Sequence, residues 1–448
     1  MKILSQVAKS MQVVLTKAAD IIGRKTGFIK RQREFSGSGF VQTLVFGWLG
    51  NPDSTLEELC QSAATLGIKI SPQGLDKRFT PQAADCLQKV LETAVSQVIA
   101  GEPVAIPVLQ RFNGVHIQDS STVVLPDELA VIWTGCGGSS SQNTSSSVKL
   151  HTRLDLNTGK LAGPYLKSGR LHDMNPQIPW KPLPVGALRI GDLGYYNLEE
   201  FGKMDSDGLY WLSRVKSNCV LHYHGKRWNL LNFLEHHCRN IMDGDIMDSL
   251  DTQILLGDKE RMPCRFLAVR VSDDVARLRR CKLISQAKDK GKPISDKMLK
   301  LASWLVLCCN IPYEMLSLDE AFVLMRTRWQ IELIFKLWKS HGSIDEWRTQ
   351  NPWRILCEVY AKLIVMLIQH WILLAGCWHY PDRSLFKAVK TIQRHAMNLA
   401  CAFACGRANR LYAALETIQR CLSVGCRINK KKKNPGTYQL LLAFSDSS

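Results

Sequence analysis

At 448 residues, 46% hydrophobic and 22% charged, the chain can bury more than one core, and its composition is that of an ordinary globular protein rather than a disordered one. The 58 Lys and Arg against 40 Asp and Glu give a formal charge of +18, which points to a polyanionic partner such as nucleic acid. Fifteen cysteines follow no regular spacing and include no CxxC pair, which excludes a disulfide framework and a zinc ribbon. They read as buried thiols of a reducing compartment.

The first 25 residues have no continuous apolar stretch and no cleavage site, so no signal peptide is expected. Residues 1–103 read as helical. A helix starting at Thr55, a break at Leu66-Gly67 and a second helix capped by Ser71 with Pro72 behind it resemble helix-turn-helix geometry. That second element carries Gln73, Lys77 and Arg78, and a basic segment, Arg24-Lys25 and Lys30-Arg31-Gln32-Arg33, precedes it. Lys77 and Arg78 are the candidate DNA contacts of this region.

Residues 104–216 switch to short strands. Gly114 to Asp119 alternates in polarity and ends in an acid, and Ala187 to Asp192 repeats that ending. Between them lie a polar Gly/Ser loop, 135–147, and a hairpin signalled by Asn157-Thr158-Gly159. A helix from Asn197 and a strand from Leu209 to Val215 follow. Residues 217–303 are first strand-rich and then basic and helical, from Arg277 to Lys300 with interruptions at Gly291 and Pro293. This segment reads as a β-rich insertion. Trp304 to Cys309 is one more apolar strand.

Ser317 to Gly342 reads as a single amphipathic helix. Ser317 and Glu320 supply a capping box, and His341-Gly342 a stop. At roughly 100° per residue, Met325, Arg328, Glu332, Lys336 and Lys339 share about a quarter-turn of arc. The remaining faces are apolar, and Trp329 and Trp338 are expected to pack in the core. From Asn351 the pattern is helical again. Asn351 caps a helix with Pro352 in its first turn, and the apolar run 361–377, carrying Lys362, Gln369 and His370, reads as buried rather than membrane-spanning. Helices over 384–405 and 407–425 precede a basic run, 427–433, suited to non-specific phosphate contact.

Asp119, Asp192 and Glu332 thus come from two strand ends and one helix. Carboxylates gathered in this way suit a hard divalent cation and phosphodiester chemistry. With these pieces together, the sequence resembles the bacterial insertion-sequence transposases of the DDE class. The similarity is to the subset with a Tyr-x2-Arg-x3-Glu-x6-Lys signature, here Met325-x2-Arg328-x3-Glu332-x6-Lys339. Asp119-Ser-Ser and Gly191-Asp192-Leu-Gly-Tyr-Tyr are similar to the blocks that carry the first and second catalytic Asp.

The resemblance implies an α/β fold with a ribonuclease-H-like catalytic core, a β-rich insertion and helical N-terminal and C-terminal regions. The regions expected are 1–103, 104–216, 217–303, 304–375 and 376–448. It implies that Asp119, Asp192 and Glu332 hold two Mg2+ ions, with Mn2+ as a substitute, and that Arg328, Lys336 and Lys339 meet DNA phosphates. The activity implied is cut-and-paste transposition of an insertion sequence by a cytoplasmic protein, acting on double-stranded DNA as a homodimer or larger assembly, with no membrane. The signature Tyr is Met325 here, and Met supplies no hydroxyl for an end-phosphate contact. That departure motivates one alternative, a relic that binds element ends as a regulator; a stand-alone ribonuclease-H-like nuclease is a third class.

Overall fold

The computed structural model describes residues 2–31, 35–136, 145–173, 177–238, 248–289, 291, 293–429 and 435–443. The expectations placed on Gln32 and Arg33, on 137–144 of the Gly/Ser loop, on Lys290 and Lys292, and on Lys430 to Lys433 lie outside them. The strands in chain order are β1 (Val115–Val124), β2 (Ser147–Asp155), β3 (Leu161–Ser168), β4 (Leu188–Gly191), β5 (Tyr210–Arg214), β6 (Val220–Tyr223), β7 (Lys226–Asn229), β8 (Ser249–Leu256), β9 (Met262–Arg270) and β10 (Trp304–Cys309). The mixture of parallel and antiparallel strands with many helices makes the fold α/β, as expected. Two compact units interleave along the chain. One comprises Met1–Ile106, Gln118–Trp180 and Trp329–Gln439, the other Pro107–Ile117, Lys181–Arg328 and Leu440–Ser448.

The first unit is built around the helix Pro352–Gly376. Asn351 caps it by accepting from the Trp353 and Arg354 N–H groups, and Pro352 occupies its first turn. Every residue from Ile355 to Gly376 is buried. By length and composition alone this helix is apolar enough to cross a membrane, but its whole apolar window is enclosed by protein, as a core helix is. It packs on the helices Pro81–Ser96, Gly37–Gly50 and Ala408–Gly425. The β2–β3 hairpin turns at Asn157-Thr158-Gly159, where Gly159 has φ +68° and a Cβ would collide with Leu374 and Trp378. His370 of the core helix contacts the Gly159 carbonyl at 2.7 Å.

In the same unit, Thr55 and Glu58 form a capping box on the helix Leu56–Thr65. Gly67 turns the chain at φ +77°, and the Ser71 hydroxyl caps Pro72–Asp76 by accepting from the Gly74 N–H. The two-helix arrangement expected from this stretch is present. The single helix expected over 384–405 is instead two, Leu385–Arg394 and Ala396–Ala404, parted at His395.

In the second unit the first residues of β1 pair in parallel with β4, and β4 pairs in parallel with β5. The order then runs β5-β10-β9-β8-β6-β7, all antiparallel. The strands expected over 220–271 are present as β6, β8 and β9. β7 and the helix Leu230–His237, which the sequence pattern does not mark, complete that segment. Phe201 stacks on Trp211 at 4.2 Å within a core that joins β5 and β10 to β6, β8 and β9.

Three expectations are corrected here. β1 does not end at Asp119 but continues to Val124, since Thr122, Val123 and Val124 are good strand formers, so Asp119 lies mid-strand. The helix over 317–342 is two, Leu318–Thr327 and Trp329–Ser340. At the break the Thr327 hydroxyl donates back to the Leu324 carbonyl at 2.6 Å, and the Arg328 N–H takes the Met325 carbonyl three residues back. The cysteines are not uniformly buried: all are free, and Cys136, Cys281, Cys401, Cys405 and Cys421 are exposed.

Candidate functional site

The helix that leads to Arg328 is pinned at its start. The Ser317 hydroxyl accepts from the Glu320 N–H, and the Glu320 carboxylate accepts from the Ser317 N–H. Arg111 forks onto both Glu320 oxygens at 2.8 Å. Burial raises the Glu320 carboxyl, but Arg111 and the cap outweigh it and hold the group below the usual carboxylate range. Arg265, 1% exposed, pairs with both Asp251 oxygens and donates to the Leu316 carbonyl at 2.7 Å. This helix is therefore fixed at its first turn by two guanidinium clamps.

Asp192 directly follows β4 and caps a short 3-10 turn, its Oδ1 accepting from the Gly194 N–H at 2.8 Å. Its Oδ2 lies 3.9 Å from Arg328 Nη1, with side-chain exposures of 34% and 17%. The structure thus brings together two of the expected site residues, an acid and a cation. Met325, the departure from the signature, is buried at 6% and borders a cavity of about 650 Å3. Arg214, Arg279 and Arg326 also line it, with Leu193 and Phe322.

In the first unit, Asp119 Oδ1 accepts from the Ser120 N–H at 2.8 Å. The Ser120 hydroxyl donates to Asp173 Oδ1 at 2.7 Å, and Lys149 Nζ stands 3.1 Å from the same oxygen. Burial raises the Asp173 carboxyl, but these two partners hold it below the usual range. Glu332 lies in the first turn of Trp329–Ser340, half-buried. Lys336 on that helix is exposed, and Lys339 Nζ donates to the Thr122 carbonyl at 2.8 Å. Trp338 is buried as expected, but Trp329 is 58% exposed and belongs to the surface. Lys77 is exposed, and the Arg78 guanidinium lies 5.4 Å from the centre of the Phe35 ring.

Asp119 and Glu332 belong to one unit and Asp192 to the other. Among the described residues no group of three or more His, Cys, Asp or Glu side chains is placed to hold a metal ion. The donor chemistry nevertheless fits a hard cation. Each of the three side chains, taken by itself, is a half-buried carboxylate, the oxygen donor that such a cation takes. Sequence reading missed Asp173, which no motif marks and which reaches Ser120 across 53 positions. It also missed Asp345, which lies beyond the helix end, where periodicity carries no signal, and whose Oδ2 stands 3.9 Å from Lys339 Nζ.

The model of the transposase DDE domain family matches residues 111–368, more than half of the chain, and the chain belongs to this family. Similar proteins include the transposase for insertion sequence element IS231E of Bacillus thuringiensis subsp. finitimus, 28% identical over 364 residues, 78% of this chain and 75% of that protein. The transposase for IS231C of Bacillus thuringiensis subsp. berliner is 28% identical over 397 residues, 84% and 82% of the two chains. That for IS1151 of Clostridium perfringens is 25% identical over 366 residues, 78% and 76%.

Proposed function

We propose that the chain is the DNA transposase of an insertion sequence, cutting the element's ends and joining them to target DNA. The observation that carries this reading is the pairing of Asp192, at the end of a parallel strand, with Arg328 from the signature helix region. The +18 charge and the family support it. In this reading the fold is a ribonuclease-H-like core with a β-rich insertion and helical end regions, divided at 103, 216, 303 and 375.

Asp119, Asp192 and Glu332 are the catalytic acids and would hold Mg2+, or Mn2+ in its place, as two ions. When bound, the metal supplies Lewis acidity to the attacked phosphate and lowers the pKa of the attacking water. The chain's own residues position the DNA. Arg328 takes a phosphate with its fork, Lys336 and Lys339 as point charges, and Lys77 and Arg78 contact the element end from the N-terminal region. Cutting replaces one phosphorus–oxygen bond by another, with water as nucleophile and the 3′ oxygen as leaving group. Joining repeats the exchange with the freed 3′-hydroxyl as nucleophile. The protein works as a dimer or larger assembly on double-stranded DNA in the bacterial cytoplasm.

The test is cleavage of the element's own terminal repeats in Mg2+ or Mn2+ by the parent and by Glu332→Gln. The parent cuts and the variant binds without cutting; equal cutting by both removes Glu332 from the mechanism. Met325 motivates a second reading, a relic that occupies ends without cutting. That reading prevails if the parent binds ends but cuts in no divalent ion while Met325→Tyr cuts.

A further inference from the structure

The core helix Pro352–Gly376 carries an ion pair that the proposed chemistry does not use. Lys362 is 1% exposed and Glu358 8%, with Nζ 2.7 Å from Glu358 Oε1. The same ammonium donates to the carbonyls of Ser343 at 2.8 Å and Glu346 at 3.1 Å. All three of its protons are thereby directed, two of them to the backbone on either side of Asp345. This turn is held elsewhere too. Ser343 has φ +44°, the Ile344 N–H takes the Trp338 carbonyl, and Ile344 is 1% exposed. Gly342 packs so closely that a Cβ would stand 2.6 Å from the Trp338 carbonyl and 2.7 Å from the Met366 sulfur. The backbone around Asp345 is therefore fixed, and it places Asp345 Oδ2 3.9 Å from Lys339 Nζ.

We propose that Asp345 is a built-in counter-charge to Lys339, a carboxylate that competes with the DNA phosphate for that ammonium and lowers affinity for the element end. The inference rests on the reading of Lys339 as a phosphate contact. Lys339 already gives one proton to the Thr122 carbonyl, so its remaining donors are divided between Asp345 and DNA. The side chains are 37% and 32% exposed, so an incoming phosphate can reach the pair. Near-surface ion pairs are weak, so the competition tunes affinity rather than blocking binding.

The test is equilibrium binding of the full chain to a labelled duplex bearing the inverted repeat that borders its own reading frame. A chelator prevents cutting, and the parent, Asp345→Asn, Lys339→Ala and the double variant are compared. Asp345→Asn is expected to bind about two- to fivefold tighter, a gain that a folding defect cannot produce. Lys339→Ala binds more weakly, and in its background Asp345→Asn gives little gain. Unchanged or weaker binding by Asp345→Asn, while Lys339→Ala weakens binding, overturns the inference alone. A gain of the same size in both backgrounds also overturns it, since that is the effect of net charge. No effect of Lys339→Ala on binding removes the phosphate reading itself.

Discussion

Lys339 Nζ donates a 2.8 Å hydrogen bond to the backbone carbonyl of Thr122, three residues beyond Asp119 on β1. One side chain thus ties the helix that carries Glu332 to the strand that carries Asp119. A residue expected only to touch DNA also holds these two elements together. Lys339→Met keeps the aliphatic stem and removes the bond. It is expected to lower unfolding free energy by about 1 kcal/mol, below the full value of a charge-assisted bond because the group is partly exposed. Urea unfolding in the absence of DNA measures it; an unchanged midpoint would show that the bond adds nothing to the fold.

The buried Glu358–Lys362 pair gives a larger effect. Lys362→Met leaves a buried carboxylate with no cation and two loop carbonyls without their donor, and is expected to cost about 3–5 kcal/mol. Glu358→Leu combined with Lys362→Met removes the stranded charge, so the double variant should be the more stable of the two by at least about 1 kcal/mol. Denaturant curves for the parent, single and double variants decide this. A double variant no more stable than the single assigns the whole cost to the lost loop contacts.

Acid should destabilise the first unit through its buried histidines. Burial pushes the His370 imidazole from 6.5 down to about 4, against the opposing pull of its bond to the Gly159 carbonyl. Burial does the same to His151, also to about 4. Both are neutral in the fold, while the unfolded chain takes up their protons near 6.5. The associated stability is complete above that pH and is lost as pH falls toward 4, by roughly 3 kcal/mol per group. His370→Gln retains a donor for Gly159 and should flatten the fall. Unfolding free energies measured between pH 7 and pH 4, roughly the limits of this window, check it; a parent and variant with the same slope would contradict the assignment to His370.

Met325→Tyr should fold. The side chain is nearly buried, but it borders the cavity lined by Leu193, Phe322 and Arg279, so the larger ring has space beside it. The expected cost is under about 1 kcal/mol, at the low edge of overpacking penalties. Thermal or urea unfolding measures it, and a loss of several kcal/mol would mean that the cavity does not accept the ring.

Much of this was legible in the sequence because it is local. The capping boxes at Thr55 and Ser317, the Ser71-Pro72 and Asn351-Pro352 helix starts and the Asn157-Thr158-Gly159 turn each depend on residues within a few positions of one another, so side-chain chemistry alone specifies them. The Arg328-x3-Glu332-x6-Lys339 spacing is local too, and with the charge it pointed to this family.

What only the tertiary structure decided depends on distance along the chain. The reach of Lys339 to Thr122 spans 217 positions and that of Arg111 to Glu320 spans 209. Trp329 is 58% exposed, and the helix of the sequence pattern is two, parted at Arg328. Asp173 and Asp345 acquire roles only because packing brings them to Ser120 and Lys339. The physical reason is common to all of these. A residue type and its local spacing set what a side chain can bond, but burial and the folded backbone set which partner is within reach.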